Sequence, residues 1–139
     1  MPLAILDTDI LSELYRAKNE IVVRRAAEYV ARHNTLVLSV VSMFEILSGW
    51  HRVNRGDKVR AFSAWLNAAE VLHVDTECAA LAGEIDGALA RAGRPVGVAD
   101  VLIAATAIRF GRTLVTGNTV HYEHIRSAGF ALTLENCRA

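Results

Sequence analysis

Four polar residues stand far apart in this chain, yet each one ends or flanks a short apolar run. They are Asp7, Glu45, Asp100 and Asn118. The carboxyl ends of parallel strands meet along one edge of an open α/β sheet, so residues at such positions converge there. Grouped carboxylates repel one another, and a hard divalent cation with oxygen ligands, Mg²⁺ or Mn²⁺, relieves that repulsion. The pattern therefore predicts a metal site.

Helix capping offers a simpler explanation for each acid taken alone. Asp100 begins an apolar helical run, where an N-cap aspartate accepts free backbone amides. Ser42 and Glu45 have the spacing of a capping box, and Asp9 would cap a helix from Ile10 onward. Each capping explanation is credible for its own residue. None accounts for the acids all falling at strand ends of one chain.

The elements that must position these residues alternate along the chain. Short apolar runs predict strands, and runs with about 3.6-residue spacing predict helices. This alternation favours βαβ units and a parallel sheet, and Gly111 follows the sixth helix as a C′ glycine would. The predicted strands are Leu3–Leu6, Leu36–Ser39, Val71–Val74, Thr113–Thr116 and Ala131–Leu134; the predicted helices are Ile10–Arg16, Ile21–His33, Val40–Val53, Lys58–Ala69, Cys78–Ala92, Ala99–Phe110 and Val120–Ser127.

Length and hydropathy indicate one domain with a large core. The chain has 139 residues, of which 53% are hydrophobic, and this size suits a single domain over residues 1–139. No apolar run approaches the roughly 18 residues that a spanning helix needs. The N-terminus has no basic region and runs directly into Asp7 and Asp9, unlike a secretory signal. We expect a cytoplasmic protein without a membrane partner.

The net charge of zero hides unlike regions. Residues 16–60 carry a net charge of +5, between residues 1–15 at −3 and residues 61–100 at −4. Thirteen of the fifteen basic residues are arginine, whose planar fork suits phosphate recognition. A basic region therefore adjoins the acidic residues, although a solvated helix face explains any single arginine equally well.

Other possible sites have weaker signals. Cys78 and Cys137 are 59 positions apart and form no C-x-x-C pair, which fits reduced packing residues better than a disulfide or zinc site. His121 and His124 have the spacing to share a metal, but a solvated helix face is the simpler interpretation. The chain lacks a nucleophile elbow, a phosphate-binding loop and a dinucleotide-binding turn, so no nucleotide cofactor is expected.

Four segments together resemble the PIN-domain ribonucleases, and among them the VapC-type toxins of toxin–antitoxin pairs. The order and spacing of the segments agree with that family across nearly the whole chain. The segments are LDTDILSEL (Leu6–Leu14), SMFEI (Ser42–Ile46), DVLIAATA (Asp100–Ala107) and LVTGN (Leu114–Asn118).

The resemblance implies a fold and a set of site residues. The fold would be a three-layer α/β/α PIN-like domain with a central, mainly parallel sheet of four to five strands flanked by helices. Asn118 departs from the family, because many members have a fourth acid there, and it would be a weak ligand or act through water. The implied catalytic and metal-binding acids are Asp7, Glu45 and Asp100, supported by the hydroxyls of Thr8, Ser42 and Thr116.

The resemblance also implies an activity and partners. The activity would be Mg²⁺-dependent hydrolysis of RNA phosphodiesters, with Mn²⁺ as a substitute, leaving a 5′-phosphate and a 3′-hydroxyl. Arginines of the basic region would hold the RNA by its phosphates. The partners would be a small protein antitoxin and a second copy of the chain in a homodimer.

Two other functions stay open on sequence alone. A haloacid dehalogenase-type phosphatase also begins with Asp-x-Asp after a strand, and it would use Asp7 as its nucleophile. Such enzymes need a lysine and a later acidic pair, whereas this chain has only Lys18 and Lys58, neither of which follows a strand. A catalytically weak PIN-like module that binds RNA or protein is the second alternative, suggested by Asn118.

Overall fold

The computed structural model describes residues 2–138. Its five strands form one sheet in the order β3-β2-β1-β4-β5, and every neighbouring pair is parallel. The strands are β1 (Ala4–Leu6), β2 (Val37–Ser39), β3 (Glu70–Leu72), β4 (Thr113–Thr116) and β5 (Leu134–Asn136). The helices are α1 (Thr8–Arg16), α2 (Glu20–His33), α3 (Val40–Arg52), α4 (Gly56–Leu66), α5 (Thr76–Arg91), α6 (Val98–Arg109) and α7 (Thr119–Ser127).

Apolar cores on both faces of the sheet make the fold a three-layer α/β/α sandwich. On β1, Ile5 packs into one core while Ala4 and Leu6 pack into the other, because successive strand side chains point to opposite faces. Helices α5, α6 and α7 contribute to the first core, and α1, α2 and α4 contribute to the second. The predicted fold class is confirmed.

Two predicted strands are displaced along the chain. The third was predicted over Val71–Val74 and lies at Glu70–Leu72, because the chain then turns toward Asp75, which caps α5. The last was predicted over Ala131–Leu134 and lies at Leu134–Asn136. The apolar run before that strand misled the prediction, since Leu132 is buried in the core without belonging to the sheet.

Helix α6 lies at the centre of the molecule, and its residues Val101 and Ile103–Ala107 are buried. It ends at Arg109, and Gly111 follows the C-cap Phe110 with a φ of 62°, in the left-handed region that glycine adopts without strain, as predicted for a C′ position. Both cysteines are buried and unpaired. Across residues 2–138, no helix combines the length and the hydropathy required to cross a membrane.

Candidate active site at the carboxyl edge of the sheet

Asp7 is a buried acid held by both the sheet and a helix. It directly follows the central strand β1, and its backbone N–H donates to the carbonyl of Val115 at 2.9 Å. It is also the N-cap of α1, where Oδ1 accepts from the backbone amide of Thr8 at 2.8 Å. Its residue surface is only 4% exposed. The sheet and the helix together therefore fix one buried carboxylate at the strand edge.

Two hydroxyl groups complete the surroundings of Asp7. Thr116, at the end of β4, donates to Oδ2 at 2.8 Å, and Tyr122 of α7 donates to Oδ1 at 3.0 Å. The same Tyr122 hydroxyl lies 3.2 Å from Oδ1 of Asp100. Asp7 and Asp100 are thus brought together although they are 93 positions apart. The supporting role predicted for Thr116 has a direct geometric basis.

Burial is the main influence on the ionisation of this site. It raises the pKa of Asp7, and the charge of Asp100 raises it further, against the lowering effect of the hydrogen bonds from Thr116, Thr8 and Tyr122. Burial and the two neighbouring carboxylates also raise the pKa of the Tyr122 phenol, which therefore stays protonated. A buried carboxylate of this kind gains strongly from a nearby cation.

Glu45 joins the site through Thr8. The Thr8 hydroxyl donates to Oε1 of Glu45 at 2.6 Å and lies 2.9 Å from the hydroxyl of Ser42. A hydroxyl has one proton, so Thr8 donates to Glu45 and accepts from Ser42. Ser42 is fully buried on α3, one turn before Glu45. Three of the predicted site residues therefore form one connected network.

The capping explanations for three acids are wrong in this structure. Helix α1 is capped by Asp7 rather than Asp9, and α3 is capped by Ser39, which leaves Ser42 and Glu45 inside the helix. Helix α6 begins after Gly97, so Asp100 lies within its first turn. Of these acids only Asp7 is an N-cap residue, where the cap and the site coincide, while Asp9 accepts the amide of Ile10 at 2.7 Å from inside the first turn.

Asn118 lies at the exposed rim of the same edge. Its backbone amide donates to the Thr116 hydroxyl at 3.0 Å, and its side-chain nitrogen lies 3.0 Å from Nδ1 of His121. That Nδ1 is in turn 3.1 Å from Oδ2 of Asp100. His121 therefore belongs to the site, and its assignment to an ordinary solvated helix face is wrong. His124 does not join it: its buried Nδ1 has no hydrogen-bond partner among the described residues.

Sequence reasoning also missed a cation at this edge. A terminal nitrogen of Arg138 lies 2.7 Å from Oε1 of Glu13 and 3.4 Å from Oδ2 of Asp9. Its guanidinium packs against Gly117 so closely that any side chain at that position would overlap it. Burial first, and then the charge of Asp7, raise the pKa of Asp9 to about 6, while Arg138 opposes the shift.

The donor chemistry of the site fits a hard divalent cation. Asp7, Asp100 and Glu45 offer carboxylate oxygens, and Oδ2 of Asp7 accepts a single hydrogen bond, which leaves a lone pair free for a metal. In residues 2–138 as they stand, no three His, Cys, Asp or Glu side chains are grouped closely enough to hold an ion. The hydroxyls of Tyr122 and Thr8 occupy the spaces between the acids. The predicted ligand set remains a prediction.

Comparisons with known proteins agree on the family. The PIN domain family matches this chain over residues 4–126. The chain is 29% identical over 122 residues to the "tRNA(fMet)-specific endonuclease VapC" of Shigella flexneri, covering 87% of this chain and 90% of that protein. It is 25% identical, with the same coverage, to "Ribonuclease VapC1" of Haemophilus influenzae strain R2866.

The folded structure has close counterparts as well. One is the DNA-bound VapBC complex from Salmonella typhimurium, with a TM-score of 0.84 and 27% identity over 99% of both chains. Similarity of this extent covers the whole sheet and all the helices that surround the strand edge. It places the site described above within a shared fold rather than a local motif.

Proposed function

This chain belongs to the PIN-domain family, and we propose that it is a metal-dependent endoribonuclease that acts as the toxin of a toxin–antitoxin pair. The observation that carries the proposal is the convergence of Asp7 and Asp100 at the carboxyl edge of the sheet, where both lie within hydrogen-bond distance of the Tyr122 hydroxyl. The curated relatives are named as ribonucleases that cut RNA. The family match leaves the phosphatase alternative without support.

Asp7, Asp100 and Glu45 would hold Mg²⁺, or Mn²⁺ in its place, and Asn118 would contribute weakly or through water. When bound, such an ion activates a water molecule for attack on phosphorus and stabilises charge on the phosphate oxygens. Thr116 and Tyr122 orient the carboxylate of Asp7, and Thr8 and Ser42 orient that of Glu45. Supporting groups of this kind fix the direction of each ligand.

The RNA would be held through its phosphates by arginines of the basic region, residues 16–60. That region spans the end of α1, all of α2 and α3, and the first part of α4. Exposed single-stranded segments are the natural target, because their backbones and bases are accessible. Action on cellular RNA would place the protein in the cytoplasm.

A protein antitoxin and a second copy of the chain are the proposed partners. Apolar side chains are exposed on α2 at Ile21, Val23 and Val30, and Phe44 of α3 is 68% exposed. Exposed apolar surface of this kind favours protein association. The solved relatives include toxin–antitoxin complexes named VapBC. In the proposed complex, part of the antitoxin crosses the acidic site.

The test is cleavage of single-stranded RNA by the purified protein with Mg²⁺, with Mn²⁺ and with EDTA. We expect products with a 5′-phosphate and a 3′-hydroxyl in either metal and none in EDTA. Asp100→Asn should abolish cleavage while the protein stays folded, because it removes charge with little change of volume. Cleavage that persists in EDTA would contradict the metal role. The toxin role is tested separately. The parent protein should arrest growth, and the neighbouring gene product should relieve that arrest.

A further inference from the structure

A cleft beside the acidic site has no role in the mechanism described so far. It lies between α1 and α3 and has a volume of about 300 Å³. Thr8 and Glu45, joined by a hydrogen bond of 2.6 Å, are part of its lining, so the cleft reaches one of the proposed metal ligands. Its remaining lining residues are Ser12, Tyr15 and Arg16 of α1, Ile46, Gly49 and Trp50 of α3, and Val53.

The lining combines flat aromatic surface with positive charge. The ammonium of Lys58 lies 5.9 Å from the centre of the Trp50 ring, and Arg16 is exposed in the last turn of α1. Tyr15 is held in place by an edge-on contact with Phe62, with ring centres 5.9 Å apart. Nothing lies within 4 Å of the position that a side-chain carbon at Gly49 would take. The glycine therefore keeps this part of the wall open.

We propose that this cleft binds one unpaired nucleobase of the RNA substrate, next to the phosphodiester that is cut. The base stacks on Trp50 or Tyr15, and Arg16 and Lys58 contact the adjoining phosphates. Unpaired bases are commonly recognised by stacking on aromatic side chains, with cations along the backbone. This inference rests on the proposed ribonuclease function and adds to it a binding site for one base beside the acidic site.

Arg16 in the lining and Lys58 beside Trp50 favour a nucleotide over an apolar segment of a partner protein, because a nucleotide carries phosphate charge. A nucleotide whose base occupies the cleft has its phosphate near Glu45 and Thr8, which is where the reaction requires it. An apolar protein segment would gain from Ile46 and Val53 but would leave Arg16 and Lys58 without a complementary charge. The protein partner is nevertheless a defined outcome of the test below.

Gly49→Leu is the direct test, because it fills the cleft from a position with open space and improves helix propensity. The matched control is Gly83→Leu, a helical glycine of α5 that also has nothing within 4 Å. Both variants are made in a Trp65→Phe background, so that Trp50 is the only tryptophan. The probe is a short single-stranded RNA added in EDTA, and binding is followed by tryptophan fluorescence.

We expect the RNA to quench Trp50 in the Trp65→Phe parent and in Gly83→Leu. Gly49→Leu should bind about tenfold more weakly, the effect of losing one stacked base, and should lose the quenching. In Mg²⁺, the loss in cleavage rate should be concentrated in KM. Equal RNA binding by Gly49→Leu and Gly83→Leu would overturn the proposal. The proposal would also be overturned if Gly49→Leu no longer bound the antitoxin but still bound RNA as the parent does, since the cleft would then be a protein-binding site.

The same experiment separates this inference from the proposed function. If the parent cleaves RNA and Gly49→Leu cleaves it equally well, the base-binding cleft is overturned and the ribonuclease function stands. A parent that binds and quenches but never cleaves supports the cleft and removes the ribonuclease. A parent that neither binds nor cleaves single-stranded RNA overturns both.

Discussion

The hydroxyl of Tyr122 lies 3.0 Å from Oδ1 of Asp7 and 3.2 Å from Oδ1 of Asp100, so one buried phenol joins two carboxylates from opposite parts of the chain. Burial and the charges of both acids raise the pKa of the Tyr122 phenol, which therefore keeps its proton. The phenol has one proton, so it donates to one of the two carboxylates at a time, and it lies between two charges that repel each other.

Tyr122→Phe should lower the stability of the metal-free protein by about 1 kcal/mol, because it removes one of the hydrogen-bond donors to the buried Asp7 carboxylate. Adding Mn²⁺ should recover part of the loss, since a cation then compensates the two acids. Thermal melts in EDTA and in Mn²⁺ measure both effects. The control is Tyr15→Phe, whose hydroxyl makes no hydrogen bond within residues 2–138. Equal stability of the two variants in EDTA would show that the shared hydroxyl contributes little.

Arg138→Gln should strengthen metal binding by about fivefold, the effect of removing roughly 1 kcal/mol of repulsion between a half-exposed cation and the ion. The guanidinium contacts Asp9 and Glu13 and lies over Gly117 beside the site. Without metal the same variant should be less stable than the parent, because those acids lose their counter-ion. Mn²⁺ titration followed by melting temperature measures the change.

Arg126→Gln is the matched control for that experiment, because Arg126 forms a comparable ion pair with Glu123 on the surface of α7. It should leave the metal response as in the parent. Weaker metal binding by Arg138→Gln would contradict the prediction and would make Arg138 a residue that shapes the site.

The effect of Asn118→Asp on the stability of the protein should change sign when metal is added. In EDTA, a further carboxylate near Asp100 and Asp7 adds repulsion, so the variant should melt below the parent. In Mn²⁺ the melting temperature of the variant should rise more than that of the parent, because an ion that binds only the folded state stabilises that state. Asn54→Asp adds the same charge at an exposed position after α3 and serves as the control. Identical metal-induced gains in both variants would remove Asn118 from the site.

Residues next to regular elements were the ones that sequence reasoning placed well. Asp7 and Thr116 end adjacent parallel strands, and the register Leu6↔Val115 fixes them side by side. Their convergence follows from the alternation of strands and helices. Glu45 and Asp100 reach the same edge from within helices: α3 follows β2, whereas α6 follows α5, so a position at a strand end does not account for Asp100.

Residues whose role depends on side-chain direction were missed. Tyr122 is the fourth residue of α7 and reads as an ordinary core aromatic, yet its hydroxyl points to the carboxylates. Arg138 lies beyond the last strand, where no periodicity predicts a contact with α1. The capping errors concern single positions: the caps are Asp7, Ser39 and Gly97, and Asp9, Ser42 and Asp100 each lie two or three residues beyond them, inside the helix.

Crystals soaked in Mn²⁺ and measured for anomalous scattering give the most direct test of the central claim. The account predicts a peak between Asp7 and Asp100, with carboxylate oxygens about 2.0–2.6 Å from it. Asp7→Asn crystals should lose the peak, and the same variant should lose RNA cleavage. A parent protein that cleaves RNA in Mn²⁺ while its peak lies away from Asp7 and Asp100, or is missing, would contradict the account.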